Sequence, residues 1–199
     1  MKALEISMER LLDIPIDYYM LVDMAGFVDI VDALGGVTVN VSAPVVAEVS
    51  PYEEDGDWIA IELEPGRQHL DGPQSLAYVR ERKTTSDYVR MRRQRCMLEA
   101  IAAEATPTKM LRVFPRLSRA IKRSATTNVP LGILPDLVST AADLRFDDIT
   151  TLGLNPPYYV QLDEERGLYM FDLDRVQRAV RNVLAGNPPP TQEAGASEC

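Results

Sequence analysis

One helical stripe constrains the folding of this chain more than any other feature, because it is polar where it begins and apolar where it ends. Ser86 is a suitable N-cap, and the sequence predicts a helix from that position. Since the apolar end of the stripe must face a core, its polar end is predicted to face the interior or a cleft, where guanidinium groups need an anionic partner. The stripe follows the helical period and consists of Arg90, Arg93, Gln94, Met97 and Ile101.

The same stretch concentrates positive charge in an acidic chain. From position 80 to position 95 the local balance is +5, whereas the whole chain carries −9, so the remaining residues carry −14. Only Glu81 and Asp87 oppose the basic residues of this stretch, which are Arg80, Arg82, Lys83, Arg90, Arg92, Arg93 and Arg95. Such a concentration indicates a candidate anion site.

The chemistry of arginine suggests which anion this site would bind. Planar guanidinium groups match phosphate oxygens in pairs, which an ammonium group does not do. Arg80 and Arg82 alternate with Glu81, and in an extended segment two such side chains point to the same side. The residues therefore predict a phosphate or pyrophosphate site, with a solvated basic helix face as the open alternative. Asp87 either orients an arginine or favours the helix N-terminus through the dipole.

Several separated motifs occur in a fixed order along the chain. LDGPQSLAYVRER is followed after a short spacer by SDYVRMRRQR, and the segment IDYYMLVDMAGFVDIVDALGGVTVNV lies upstream. Together they resemble the LytR-CpsA-Psr family of cell-envelope proteins over most of the chain, from about Lys2 to Leu184. The family's Arg-x-Arg pair matches Arg80 and Arg82. Its Asp-x-x-Arg-x-x-Arg-Gln motif matches Asp87, Arg90, Arg93 and Gln94.

The resemblance implies a glycopolymer transferase that binds a polyprenyl-pyrophosphate-linked glycopolymer and attaches it to peptidoglycan with the help of Mg²⁺ or Mn²⁺. It implies a location on the outer face of a bacterial cytoplasmic membrane, next to the membrane surface. Two alternatives stay open, a remnant that only binds polyprenyl pyrophosphate and a transcriptional attenuator, as the older family name suggests. The pyrophosphate ligands implied are Arg80, Arg82, Arg90 and Gln94, with Asp87 and Arg93 in support.

The sequence departs from the family pattern at its beginning. Members carry an Arg-x-Asp motif and a Pro-Arg-Asp motif that supply metal-binding carboxylates, and the residues before Ile14 contain neither. The chain also has no run of about eighteen apolar residues of the kind that crosses a bilayer. The expectation is a domain that is incomplete at its N-terminus, with no metal ligands of its own and no catalytic residue that can be assigned.

Length and element pattern predict the architecture. The 199 residues, 46% of them hydrophobic, fit one globular domain over residues 1–185, and the proline-rich residues 186–199 are predicted to be a disordered tail. Alternating strand and helix signals predict an α/β fold with a mixed central β-sheet flanked by helices. The predicted elements include a helix C-cap at Gly35, a strand over Val37–Val41, a loop over 43–57, helix N-caps at Asp71 and Asp174, a helix over 130–142 and a strand over 149–154. The acidic total argues against binding of nucleic acid, because affinity for phosphate backbones needs broad positive potential.

Weaker signals lie elsewhere in the chain. A helix is predicted to start at Pro115 with a second basic face, which would either contact an acidic membrane surface or be solvated. Asp23, Asp29 and Asp32 are interpreted as a solvated face rather than a metal site, because their spacing scatters the carboxylates. The single histidine, His69, is interpreted as structural.

Overall fold

The computed structural model describes residues 1–50, 58–82, 87–104, 106–133, 152–154 and 157–187. They contain both helices and short strands, which confirms the predicted α/β class. The helices are α1 (Lys2–Leu12), α2 (Met24–Leu34), α3 (Gly72–Arg80), α4 (Asp87–Glu104), α5 (Pro107–Ser124) and α6 (Leu173–Leu184). The strands are β1 (Met20–Val22), β2 (Val37–Val41), β3 (Val45–Val49), β4 (Ile59–Leu63), β5 (Gly66–Leu70), β6 (Ala125–Thr127), β7 (Val160–Asp163) and β8 (Leu168–Phe171). A 3₁₀ turn at Leu131–Ile133 follows β6.

The described strands pair two by two, and each pair is antiparallel. β1 pairs with β6, β2 with β5, β3 with β4, and β7 with β8. The sequence predicts one mixed central sheet, whereas the described strands form these small separate pairs. The sequence also predicts a loop where β3 lies and does not predict β5 or β6. β5 has no alternating hydrophobic pattern that would predict a strand, because three long polar side chains precede its one buried residue, Leu70.

The described residues fall into two compact units, and the larger one lies within Tyr19–Phe146. Its core is built around β2, where Val37, Val39 and Val41 are buried and the two residues between them are not. This alternation is the period of a strand with one face on a core. The helices add Val31 of α2, Tyr78 of α3 and Met97 of α4 to the same cluster.

Capping residues fix the ends of α2 and α3. The Asp23 carboxylate accepts a hydrogen bond from the Gly26 N–H at 2.7 Å and so begins α2. α2 ends at Gly35, whose φ of 83° lies in the left-handed region that favours glycine, as predicted. Asp71 begins α3 with a capping box in which Gln74 is the reciprocal partner, which confirms the predicted cap.

The prediction that a helix starts at Pro115 is wrong, because α5 begins eight residues earlier at Pro107 and Pro115 lies inside it. Proline suits the first helical turn, because the N–H groups at these positions form no hydrogen bond within the helix. Thr106 and Pro107 therefore supply a sufficient start. Inside the helix, the Pro115 carbonyl accepts hydrogen bonds from Ser118 Oγ at 3.3 Å and Arg119 Nε at 3.0 Å.

The smaller unit comprises Met1–Tyr18 and the described part of Asp147–Glu198. Asp172 caps α6 by accepting from the Arg175 N–H at 3.0 Å, whereas the sequence predicts Asp174 as the cap. Asp172 is the first residue after β8, so it is the one with extended backbone that a cap requires. The core of this unit consists of Tyr159, Val160, Val176 and Val180, with Leu11, Leu12 and Ile14 packed against them.

Some predictions fall wholly or largely outside the described residues. They include the Ser86 cap, most of a helix predicted over 130–142, most of a strand over 149–154, and the tail from 188 onward. Residues 152–154 are described and are not a strand. The division into domain and tail at residue 185 stays a prediction.

Candidate functional site

The predicted anion site lies where α3 ends and α4 begins. Arg80 is the last residue of α3, and its positive charge is favourable at a helix C-terminus. At Glu81 the chain turns out of the helix, with φ −55° and ψ 128°, while its N–H still donates to the Ala77 carbonyl at 3.0 Å. Arg82 follows directly. α4 begins at Asp87, whose side chain lies outside the described part of the structure.

A buried ion pair joins the end of α3 to α4. Arg93 Nη1 donates to Glu81 Oε2 at 2.9 Å, and the two residues are 1% and 3% exposed. The Arg93 guanidinium also lies 5.5 Å from the centroid of the Tyr78 ring. A charge buried alone is strongly unfavourable, so each member of the pair holds the other in place. Arg93 therefore has its anionic partner inside the protein, and its supporting role in a pyrophosphate site stays a prediction.

The two arginines beside Glu81 face the solvent. Arg80 and Arg82 are exposed on either side of the buried Glu81. The prediction that both lie in an extended segment is wrong, because Arg80 is still part of the helix. Arg80 Nη1 lies 2.9 Å from Met24 Sδ at the start of α2. Anchoring Glu81 inward thus directs its two neighbours outward.

α4 presents the remaining site residues at the edge of its buried face. Arg90 is half-buried and Gln94 is exposed, although the predicted stripe places Gln94 inward. Gln94 Nε2 donates to the Val79 carbonyl at 3.5 Å, a second and longer contact between α4 and the end of α3. The buried face of α4 is centred to one side of the predicted stripe and consists of Arg93, Cys96, Met97 and Ala100.

Contacts of described atoms therefore bring the end of α3 next to the first turns of α4 at two points, Glu81 with Arg93 and Val79 with Gln94. Arg90 lies one helical turn before Gln94 on the same helix, so it belongs to the same region of the surface. Arg93 is separated from the exposed site residues, because it is buried beneath this region.

Sequence reasoning missed the role of Glu81, which it counted only as a small offset to the positive charge. The available signal was a single acidic residue between two arginines at the end of a predicted helix. A buried glutamate needs a cation, and Arg93 is that cation.

Burial also affects the phenol that lies beneath this pair. Tyr78 is 2% exposed, and burial raises the pKa of its phenol above the ordinary value of 10.0. The positive charges of Arg93 and Arg92 oppose that rise without cancelling it. Tyr78 is accordingly a neutral packing group at physiological pH.

Two of the three aspartates considered for a metal site have structural roles. Asp23 caps α2, and Asp32 Oδ1 accepts from the Gly72 N–H at 2.7 Å. His69 lies 2.9 Å from the Gly35 carbonyl oxygen, in agreement with a structural role. Within the described ranges, no three His, Cys, Asp or Glu side chains lie close enough together to hold a metal ion.

Comparison with known proteins decides the family. The model of the LytR_cpsA_psr family matches residues 2–182. The chain belongs to the LytR-CpsA-Psr family. Its fold agrees with this assignment, because the crystal structure of Bacillus subtilis TagV matches with a TM-score of 0.65 at 24% identity and covers 92% of this chain and 69% of that one.

Two curated relatives of this LytR-CpsA-Psr chain are named polyisoprenyl-teichoic acid–peptidoglycan teichoic acid transferases. TagT of Bacillus subtilis is 27% identical over 184 residues, which cover 89% of this chain and 54% of TagT. TagU of Bacillus licheniformis is 30% identical over 166 residues, which cover 79% of this chain and 51% of TagU. The chain therefore spans about half the length of these relatives. None of its described helices is long and apolar enough to cross a membrane.

Proposed function

We propose that this chain acts in cell-envelope glycopolymer transfer, binding a polyprenyl-pyrophosphate-linked glycopolymer that is then attached to peptidoglycan. Family membership supports the proposal, and so do the names of the two relatives, which combine a polyisoprenyl-linked polymer with a peptidoglycan acceptor. We also propose that the protein acts at the outer face of the bacterial cytoplasmic membrane. The polyisoprenyl-linked donor in the relatives' names supports a position close to the lipid that carries the polymer.

One observation carries the assignment of the binding residues. The buried Glu81 is anchored to α4 through Arg93, and the exposed Arg80 and Arg82 lie on either side of it. Binding of a phosphate group needs several hydrogen-bond donors in fixed relative positions. Because Glu81 anchors the backbone between the two arginines, less conformational entropy is lost when the phosphate binds.

In the proposed site, Arg80, Arg82 and Arg90 bind the pyrophosphate oxygens and Gln94 adds a hydrogen bond. Arg93 supports the site from beneath, and Asp87 would orient one of the arginines. Fixed positive groups at the departing pyrophosphate stabilise the negative charge that develops on it during transfer. The residues of this chain thereby hold the donor and stabilise the leaving pyrophosphate.

A divalent metal, Mg²⁺ or Mn²⁺, is expected for the family. The described residues of this chain do not fit such an ion, since no three candidate ligand side chains lie together among them. We therefore derive no step through a metal and assign no catalytic base.

The binding role is tested by titrating polyprenyl pyrophosphate into the purified chain. Arg82→Ala is expected to weaken binding by about tenfold to a hundredfold, since a hydrogen bond to a charged group contributes about 1.5–3 kcal/mol. Arg67→Ala, which removes an exposed arginine from β5, is the matched control and should change nothing. Equal affinity of the wild type and Arg82→Ala would remove the arginine site.

Turnover is measured separately, by transfer of labelled glycopolymer to peptidoglycan. Transfer by the wild type, reduced in Arg82→Ala, supports the transferase. Binding of polyprenyl pyrophosphate without any transfer would instead leave a binding-only role for this chain.

A further inference from the structure

Cys96 lies on the buried face of α4, and its sulfur is bonded in a disulfide. The residue is 4% exposed and follows Arg93 by three positions, so the two side chains lie one helical turn apart on the same face. Arg93 is the residue that joins α4 to the buried Glu81 at the end of α3. A covalent bond at Cys96 therefore acts on the part of α4 that packs against the end of α3.

The chain itself contains a partner for this sulfur. A disulfide needs two cysteines, and the sequence has two, Cys96 and Cys199. No cysteine among the described residues is a free thiol. Within one chain, the bond at Cys96 is therefore made with Cys199. The sequence alone does not predict this pairing, because the two cysteines lie far apart and share no motif spacing.

We propose that Cys96 and Cys199 of the same chain form a structural disulfide, which ties residue 199 to α4, and that this bond forms in an oxidising compartment. It closes a ring of about 100 residues that contains α5 and α6, and closing so long a ring stabilises chiefly by restricting the unfolded chain. The inference goes beyond the proposed function, because neither the family assignment nor the arginine site requires a disulfide.

Formation of the bond needs an oxidant that accepts two electrons, and its chemical class is a thiol–disulfide oxidoreductase. One cysteine thiolate attacks the disulfide of the oxidant and forms a mixed disulfide. The second thiolate then attacks the chain's own sulfur in this mixed disulfide and displaces the oxidant. The chain loses two thiol hydrogens and gains one S–S bond, while the oxidant leaves as a dithiol.

The burial of Cys96 favours a structural bond over a redox switch. Reduction requires an attacking thiolate to reach one of the two sulfurs, and redox-sensing cysteines are accessible to solvent. Cys96 is withdrawn from solvent together with Met97 and Ala100 on the same face of α4. The bond should therefore persist once it has formed.

A persistent disulfide also constrains where the chain matures. Such bonds form and last in the bacterial periplasm and on cell surfaces, whereas the cytoplasm keeps thiols reduced. The bond therefore supports a location outside the cytoplasm, on chemical grounds that do not depend on the names of the relatives.

The first test maps the bond in the full chain after export to a bacterial periplasm. Free thiols are blocked with iodoacetamide at lysis, and the monomer band of a non-reducing gel is digested with trypsin and analysed by mass spectrometry. Cleavage after Arg95, Lys109 and Arg181 is expected to give peptide 96–109 joined to peptide 182–199, lighter by two hydrogens than the two reduced peptides together. Chain made in the cytoplasm should give the same peptides separately, each alkylated.

The second test measures whether the bond stabilises the fold. Dithiothreitol is expected to lower the Tm of the exported wild type by about 5–15 °C, which is the shift that a disulfide of typical strength produces in a chain of this size. Cys199→Ser should begin at this lower Tm and should not respond to dithiothreitol. Ser197→Ala, the matched control from the same segment, should behave as the wild type does.

The inference is overturned if the exported chain yields both cysteines as alkylated thiols, or if Cys96 is joined to a second copy of the chain. An unchanged Tm when the linked chain is reduced would contradict the structural role. Linkage in the cytoplasm as well would contradict the need for an oxidising compartment. Both tests run without ligand, so a failure to bind polyprenyl pyrophosphate removes only the proposed function.

Discussion

Among the described residues, Glu81 and Arg93 are the charged side chains that the fold buries almost completely. Desolvating two charges costs several kcal/mol per ion, and their attraction offsets this only with good geometry. Arg93 Nη1 meets Glu81 Oε2 at 2.9 Å, but Nε and Nη2 of Arg93 are buried without a described hydrogen-bond acceptor. The pair is therefore better understood as fixing the position of residues 80–82 than as a source of net stability.

Removing one member of this pair should be much worse than removing both. Arg93→Leu leaves the Glu81 carboxylate buried beside an apolar side chain, and we expect it to lower the free energy of unfolding by about 3–5 kcal/mol in urea denaturation. Glu81→Leu/Arg93→Leu should cost much less than the sum of the two single changes.

The matched control is Arg181→Ala, which removes an ion pair with Asp13 whose side chains are 54% and 59% exposed. Its cost should stay below about 1 kcal/mol. A cost for Arg93→Leu no larger than that of the control would contradict the buried pair.

Tyr78 makes the stability of the protein depend on alkaline pH. Because burial raises its pKa in the folded state above 10.0, the unfolded state loses its phenol proton first as the pH rises. The contribution of Tyr78 is fully present below pH 10 and is lost above it, by at most about 1.4 kcal/mol per pH unit. Urea denaturation at pH 9 to 11 should show a steeper decline for the wild type than for Tyr78→Phe. Parallel curves would argue against the raised pKa.

At the scale of elements, α3 packs against α2 at a glycine. A Cβ atom at Gly72 would lie 2.6 Å from the backbone carbonyl oxygen of Val28 and 2.6 Å from its Cγ1. The Gly72 N–H also donates to Asp32 Oδ1 of the same helix. The start of α3, and through it the position of Arg80 at its end, depends on this close approach.

Gly72→Ala should therefore separate the two helices. Backbone atoms cannot yield as the end of a flexible side chain does, and we expect a loss of about 1–3 kcal/mol in the free energy of unfolding. Gly132→Ala is the matched control, because nothing lies within 4 Å of its Cβ position, and its effect should stay within about 0.5 kcal/mol. Unchanged stability of Gly72→Ala would show that α3 can shift freely on α2.

The elements that the sequence predicts well are those with a strong local signal. β2 alternates valine with polar residues, and α3 carries a capping box at Asp71, so both appear where expected. The sequence predicts the start of α5 too late, at Pro115, although Pro107 fits that position. β5 and β6 lack a strand signal of their own and form by pairing with β2 and β1. β3 contains three valines, but the polar stretch with Pro44 and Pro51 around it favours a loop prediction.

At the scale of the whole molecule, charge is distributed unevenly. A chain with a net charge of −9 concentrates positive charge in residues 80–95 and again along α5. An acidic remainder repels nucleic acid and other polyanions except at these two regions, so the two regions determine which anions approach.

Residue order alone determined the family, the α/β class, the main helices and the arginine cluster, because motif spacing and hydrophobic period are local properties. Only the tertiary structure decided which arginine is withdrawn from solvent, which strands pair, and that Gln94 stays exposed. The physical reason is that burial of a charge depends on a partner distant along the chain. Glu81 meets Arg93 across the residues between α3 and α4, and this contact selects the face that each helix presents.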